Sequence, residues 1–225
     1  MAHDWGRLAA RFDELLQLET PAVAVALSLE PPPGVAPLAE GIRLCQMIDK
    51  ARFERVSFHA SNETHSCDGG AYHCGLRESS EGLHSGRFLS LERGLLASPR
   101  AGRRHHDTSP TIETGSVSFT AFGPAAAAAF EPDVLVVVGT PLQGMRLVEA
   151  SAYETGLPVD GLTGPPICAA VVAAPFLDGQ MVYNLGDGGS RRNAQISDHE
   201  IYVGIPAEML EQLVAALEAL ENRPR

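Results

Sequence analysis

The sequence predicts an α+β fold composed of two related α/β halves, with a helix covering the core at each end of the chain. Three observations predict it. Apolar residues recur at helical spacing near both ends, short strand-like runs rich in Val, Ile and Phe lie between them, and several features repeat in the same order in the two halves. The 225 residues are 44% hydrophobic and 20% charged, which is typical of a globular protein and not of a disordered or fibrous chain.

Each predicted terminal helix carries one apolar stripe. In the first helix the stripe recurs at spacings of three and four and consists of Trp5, Leu8, Ala9, Phe12, Leu15 and Leu16. In the last helix, which Pro206 precedes, it consists of Met209, Leu210, Leu213, Val214, Leu217 and Leu220. We therefore expect both helices to cover the core with one face.

The elements between these helices alternate between strands and helices. Runs rich in β-branched and aromatic residues predict strands at 22–29, 55–59, 116–122, 134–139, 180–185 and 200–205. Helices are predicted at 44–53, 142–155 and 167–174. The alanine run at 125–129 predicts a short helix, with a plain spacer as the alternative.

The chain is expected to divide into a first half at residues 1–98 and a second half at 116–225. The segment 99–115 between them is polar, basic and poorly patterned, which is typical of a mobile connector.

A repeated order of features suggests that the halves are homologous. In the first half, Cys45 opens a helix, a strand follows, and the strand leads into Cys67-Asp68-Gly69-Gly70, the "first turn". In the second half, Cys168 opens a helix, a strand follows, and the strand leads into Gly186-Asp187-Gly188-Gly189, the "second turn". Chance could supply two Gly-Gly pairs among 22 glycines, but the shared order favours an internal duplication. An approximate two-fold axis would then bring both turns to one central cleft.

Charge and missing motifs exclude several classes of function. With 17 Lys and Arg against 28 Asp and Glu, the net charge of -11 disfavours nucleic acid and anionic membranes as partners. The longest apolar runs, at 125–130 and 134–138, are too short to span a bilayer, and the first residues lack a secretory signal pattern, so we expect a soluble, cytoplasmic protein. Phosphate-loop, dinucleotide-binding, zinc-protease and serine-hydrolase motifs are absent. The sequence is compatible with a homo-oligomer.

Three cysteines are the candidate metal ligands: Cys45, Cys67 and Cys74. Thiolates bind zinc and iron–sulfur clusters, but the spacing matches no standard ligand motif, and free buried thiols are the alternative for these three and for Cys168. We expect His65 and His73 to lie at the surface or beside the ligands, without binding metal themselves.

The two turns are the candidate cofactor-binding segments. Glycine lets a ligand approach the backbone, successive N–H groups can bind an anion, and an arginine can clamp a carboxylate or phosphate. The candidate residues are Gly69, Gly70, Gly188, Gly189, Ser190 and Arg191. The alternative is that these are simple glycine turns with a solvated arginine.

Five segments resemble the family called domain of unknown function 169. They are L-E-T-P-A-V-A-V at 18–25, R-L-C-Q at 43–46, H-S-C-D-G-G-A-Y-H-C-G-L at 65–76, P-D-V-L-V-V-V at 132–138, and G-G-S-R-R followed by D-H-E-I-Y-V-G-I-P at 188–206. The resemblance covers nearly the whole chain and implies no particular activity, although the family's cysteines imply an iron–sulfur or other metal centre. Two departures weaken a transfer of that centre: Gly186 or Asp187 stands where the family has a cysteine, and Cys74 where it has an apolar residue.

Two functions follow as hypotheses. The first is a soluble protein that binds a metal or iron–sulfur cofactor between the halves, with Cys45 and Cys67 nearest to it, and that serves in electron transfer or reductive chemistry. The second is a non-enzymatic module that binds a small anion or a tetrapyrrole-like ligand through the glycine turns and Arg191. The residues do not decide whether the protein is an enzyme.

Overall fold

A computed structural model describes residues 5–222 and shows one seven-stranded sheet with helices on both faces. The strands are β1 (Val23–Ser28), β2 (Ala36–Pro37), β3 (Phe58–Ser61), β4 (Phe119–Pro124), β5 (Val134–Gly139), β6 (Val182–Asn184) and β7 (Ile201–Pro206). Their order across the sheet is β2-β3-β4-β1-β5-β7-β6. Only β2 and β3 are parallel, and the other neighbours are antiparallel. The predicted α+β class is confirmed.

The helices include those predicted from the sequence and several short ones that were not predicted. They are α1 (Trp5–Leu16), α2 (Leu44–Asp49), α3 (Asp68–His73), α4 (Glu81–His84), α5 (Pro99–Thr108), α6 (Pro141–Thr155), α7 (Ala174–Asp178), α8 (Ser190–Asn193) and α9 (Leu210–Glu221). Three π-helices occur at Lys50–Glu54, Phe88–Glu92 and Cys168–Ala173, and two short 3-10 helices at Ala125–Ala127 and Ala207–Met209. The alanine run thus forms the predicted short helix. Two of the π-helices belong to the cysteine-headed helices, and π-helical turns are frequent at functional sites.

The sheet has two buried faces, and the alternation of side chains along β5 separates them. Val134 and Val136 point to the face that carries the buried thiols of Cys45, Cys74 and Cys168, which we call the thiol face. The residue between them, Leu135, points to the opposite face, where α1, α6 and α9 pack. A strand buried on both faces reads as a continuous apolar run, which is why V-L-V-V-V predicted β5 well.

The two terminal helices cover the opposite face together, as expected. Phe12 and Leu16 of α1 and Leu213 and Leu217 of α9 are buried in the same cluster. The guanidinium of Arg11 also donates to Glu218 at 2.8 Å across the two helices. The stripes therefore predicted both the helices and the side that they bury.

The expectation of a poorly patterned connector at 99–115 was wrong for its first part. Residues Pro99–Thr108 form α5, in which Ser98 caps the first turn by accepting a hydrogen bond from the Ala101 N–H at 3.3 Å, and Pro99 occupies the first helical turn. Proline suits that position because its missing N–H has no partner there anyway. Ser98 and Pro99 are typical of a helix start, but the polar composition of the segment predicted a loop.

The strand order repeats on the two sides of the β1–β5 pair. On one side the order away from the centre is β1, β4, β3, and on the other it is β5, β7, β6. The strand β4, which the sequence division assigned to the second half, thus lies between two strands of the first half. A duplication would give this arrangement, and the duplication itself stays a prediction.

Among the described residues, none of the helices is both long and apolar enough to cross a membrane.

Candidate thiol site on one face of the sheet

The four cysteines all lie at helix ends on or beside the thiol face. Cys45 is the second residue of α2, and Cys168 is the first residue of the π-helix Cys168–Ala173. Cys67 comes directly before α3 and Cys74 directly after it. All four are free thiols; Cys67 is partly exposed, whereas the other three are buried. The solvent-accessible member is therefore the one in the first turn.

Electrostatics link the three buried thiols to Cys67. Burial, followed by the charge of Cys67, raises the pKa of Cys45 to about 12 and that of Cys74 also to about 12. The same two causes, in the same order, raise the pKa of Cys168 well above its ordinary value. Each buried thiol thus lies within electrostatic reach of Cys67, and all three are protonated at neutral pH.

The predicted ligand set Cys45, Cys67 and Cys74 is not gathered around a single point. Among residues 5–222, the only three His, Cys, Asp or Glu side chains with ligand atoms within 4.8 Å of one another are His84, His106 and Asp107. The cysteines are neighbours, therefore, without forming a preformed single-ion site.

His65 is buried beside the first turn, which excludes a surface position and leaves the alternative that it lies beside the candidate ligands. It follows β3, and its Nε2 lies 2.9 Å from the Thr120 Oγ1. Its Nδ1 is buried and has no hydrogen-bond partner. Burial, with a smaller effect of Arg77, lowers the pKa of His65 to about 4, so the ring is neutral and has a free polar atom.

His73 is also buried. Its Nδ1 lies 3.0 Å from the Pro110 carbonyl oxygen and 2.8 Å from the Thr111 Oγ1. Burial lowers its pKa to about 4. Its ring therefore contacts the segment that leads into β4.

Gly70 lies where the first turn meets the start of α2. A Cβ on this residue would lie 3.2 Å from the Leu44 Cβ, 3.6 Å from the His65 Nδ1 and 3.8 Å from the Cys67 Cβ. Glycine therefore allows these three residues to approach one another. A Cβ on Gly69, by contrast, would meet nothing within 4 Å.

Asp68 of the first turn points outward. Its carboxylate accepts from the Arg77 guanidinium at 3.1 Å, and the same guanidinium donates to the backbone carbonyls of Asn62 at 2.9 Å and His65 at 2.7 Å. Arg77 thus braces the segment that leads from β3 into the turn.

Asp187 of the second turn points inward. Its Oδ1 accepts from the N–H groups of Gly189 at 2.6 Å and Ser190 at 3.1 Å, and its Oδ2 accepts from the Ile167 N–H at 3.0 Å. The Ser190 hydroxyl lies 3.0 Å from the Asp187 backbone N and 3.0 Å from its carbonyl oxygen. The second turn is thereby tied to the segment that opens the π-helix of Cys168.

The guanidinium of Arg191 donates hydrogen bonds to backbone carbonyls of the protein. Its Nε donates to the Leu185 carbonyl at 2.8 Å, its Nη1 to the Ser197 carbonyl at 3.1 Å, and its Nη2 to the Leu185 and Glu200 carbonyls, the latter at 2.9 Å. Every guanidinium nitrogen is engaged with backbone oxygen. The arginine thus holds the loop before β7 instead of presenting free donors to an anion.

The charge of Asp187 also reaches the thiols. It contributes to the raised pKa of both Cys45 and Cys168, after burial and the charge of Cys67. The second turn therefore lies on the same face as the cysteine-headed helices.

A cavity of about 460 Å³ flanks α2 and α8, and its lining includes Gln46, Asp49, Asn193 and Gln195. Behind it, the buried Arg52 donates to the Asp49 carboxylate at 3.1 Å, to Glu200 and to the Gln195 carbonyl. Asp49 in turn accepts from the Gln195 N–H at 2.5 Å. This network fixes α2 to the chain that follows α8.

Three residues of this region were missed as site candidates. Cys168 was recognised only as the counterpart of Cys45, although its equal position at a helix start was a usable signal. Asp187 was read as part of a turn, because no sequence pattern distinguishes an inward carboxylate from an outward one. His65 was expected at the surface or beside the ligands, and no local pattern distinguishes these two positions.

Comparison with known proteins gives a family without an assigned activity. The model of domain of unknown function 169, described as "Uncharacterised ArCR", matches residues 11–216. A relative from Methanocaldococcus jannaschii, described as an uncharacterized protein, is 35% identical over 216 residues, which are 93% of this chain and 92% of that protein. No solved structure gives a significant match. The sequence segments, the family match and this relative agree, and the chain belongs to the domain of unknown function 169 family.

Proposed function

We propose that this protein binds a thiolate-ligated metal cofactor of the iron–sulfur class on the thiol face, and that it serves in electron transfer. The single observation that carries the proposal is the placement of all four thiols at helix ends on or beside the thiol face, with the three buried thiols within electrostatic reach of Cys67. Four thiols from helix ends on one sheet face supply the donor set that soft metals and iron–sulfur clusters prefer.

The described thiols do not form a preformed site for a single ion. No three cysteine ligand atoms of the described chain lie within 4.8 Å of one another, whereas the tetrahedral ligands of one zinc ion are separated by only about 3.7 Å at a Zn–S distance of 2.3 Å. An iron–sulfur cluster spreads its thiolates farther apart, since they bind different iron atoms. When bound, such a cluster would supply a reversible one-electron couple.

The residues around the thiols have separate roles in this proposal. Cys67 would be the accessible ligand, and the three buried thiols would complete the ligand set and keep water away. Because Cys45 and Cys74 have a pKa of about 12 in the protein alone, each releases a proton when it becomes a ligand. The unpartnered His65 Nδ1 is available for a hydrogen bond beside the first turn.

The alternative, a module for a small anion or a tetrapyrrole-like ligand, has less support. This alternative requires Arg191 to bind the anionic group of the ligand. The guanidinium of Arg191 already donates to the carbonyls of Leu185, Ser197 and Glu200.

Anaerobic purification tests the proposal. We expect iron and acid-labile sulfide in the purified protein, with broad visible absorption that bleaches on reduction. Cys67→Ser should remove most of the iron, whereas Gly69→Ala, a neighbouring change into open space, should retain it. A colourless protein that takes up neither iron and sulfide nor zinc on reconstitution would overturn the proposal, and zinc without sulfide would replace the cluster by a single ion.

A further inference from the structure

A second group of potential ligands lies away from the thiols, in the segment between α3 and β4. His84 is the last residue of α4, and His106 and Asp107 lie in the last turns of α5. One ligand atom of each lies within 4.8 Å of the others. We propose that these three side chains form a binding site for one divalent transition-metal ion, with Zn²⁺ as the reference ion.

Close backbone contact between two helical segments builds the site. Gly86 lies two residues after the end of α4 and adopts a φ of +75°. A Cβ on Gly102 of α5 would lie only 2.3 Å from the Gly86 carbonyl oxygen, so glycine is needed at this crossing. The contact brings the end of α4 against α5 and thereby His84 against His106, whose rings lie perpendicular with centroids 5.5 Å apart.

Each ring nitrogen of His106 has a polar neighbour. The His106 Nε2 lies 2.8 Å from the Ser79 Oγ, and the Nδ1 on the other side of the ring faces Asp107. In a metal-bound histidine, the ring nitrogen remote from the metal is hydrogen-bonded to a second residue. Ser79 occupies that position for a metal ion at the Nδ1.

Two potential ligand atoms lie close together in this pair. The His106 Nδ1 lies 3.1 Å from the Asp107 Oδ1, and a metal ion that replaced the proton between them would contact both atoms. Ligands that lie about 2.1 Å from a tetrahedral zinc ion are separated by about 3.4 Å, so only a small adjustment is needed. Arg103 contacts the other oxygen, Oδ2, at 3.4 Å and leaves Oδ1 available.

The surroundings are suited to a site with an open position. Tyr72 of α3 stacks on the His106 ring, with centroids 4.9 Å apart and an angle of 10° between the planes, which fixes the ring. The Asp107 side chain is 48% exposed, so water can occupy the remaining coordination position. Bound metal would join α4 to α5 and, through Tyr72, hold both against α3, the helix that starts after Cys67.

Zinc titration of the metal-free protein tests this site independently of the thiols. In the Cys67→Ser background, we expect one Zn²⁺ per chain by calorimetry, and His84→Ala should weaken it by at least about tenfold. His105→Ala, a change at the neighbouring histidine of α5, is the matched control and should leave zinc affinity unchanged. Equal affinities in the His84→Ala and His105→Ala proteins would overturn the proposal, as would an absence of zinc binding in this background.

Hydrogen exchange locates the ion even if Cys67→Ser does not fold. In the protein with its native cysteines, Zn²⁺ should increase protection in residues 81–108, and His84→Ala should abolish this increase. Zinc-dependent protection confined to residues 44–48 and 67–74 would assign all binding to the thiols and contradict the second site. Loss of this site leaves the cluster proposal standing, because iron and sulfide are measured separately.

Discussion

The two Asp-Gly-Gly turns share a sequence pattern, and they differ in how many of their polar groups are bonded within the protein. In the second turn, Asp187 accepts three backbone N–H groups and Arg191 holds three carbonyls. In the first turn, Asp68 reaches outward to Arg77, and the His65 Nδ1 has no partner. The second turn is therefore hydrogen-bonded to the surrounding fold, whereas an unpartnered polar atom lies beside the first turn.

The largest expected effect comes from removing the inward carboxylate. Asp187→Ala leaves the N–H groups of Ile167, Gly189 and Ser190 without their acceptor, and we expect a loss of about 3 kcal/mol in the free energy of unfolding. Asp68→Ala removes a half-exposed ion pair and should cost less than about 1 kcal/mol. Urea unfolding measures both, and equal losses would contradict the contrast between the turns.

Thiol reactivity sharpens the comparison at the first turn. Cys67 is partly exposed, whereas Cys45, Cys74 and Cys168 are buried and need local opening before they react. In metal-free protein we expect iodoacetamide to modify Cys67 at least about tenfold faster than the other three. Peptide mass mapping over time gives the four rates. Modification of Cys74 at the same rate as Cys67 would show that the helix between them opens readily.

The smallest expected effect separates two adjacent glycines. In Gly70→Ala the new methyl group would lie 3.2 Å from the Leu44 Cβ and 3.6 Å from the His65 Nδ1, so we expect a loss of about 1 kcal/mol in the free energy of unfolding. Gly69→Ala meets nothing within 4 Å and should stay within about 0.5 kcal/mol of the parent. If thermal unfolding gave both variants the same midpoint, Gly70 would not be the contact between the first turn and α2.

The sequence predicted the elements because their patterns are local. The run V-L-V-V-V identified β5, and the terminal stripes identified α1 and α9 together with their buried faces. It missed the two-residue β2, which is held by pairing with β3 and is too short to show a pattern. The polar α5 was missed because its few apolar residues gave no stripe, although Ser98 and Pro99 marked its start.

The candidate site was predictable only in part, because it depends on long-range placement. The shared order of features identified Cys45, Cys67 and the two turns as related groups. Nothing local indicates that Asp187 bonds to Ile167, twenty residues earlier, or that the guanidinium of Arg191 contacts Leu185 and Glu200. Likewise, the pairing of His84 with His106 follows from a glycine crossing that only the folded chain reveals.

The position of β4 joins the predicted first and second halves in one sheet. This strand is reached after α5, yet it lies between β3 and β1 and bonds to both. A protein cut at residue 98 would therefore leave two apolar strands with unpaired edges in its shorter piece, a condition that favours aggregation over independent folding. A break between β4 and β5, by contrast, would keep β1, β3 and β4 in one piece and β5, β6 and β7 in the other.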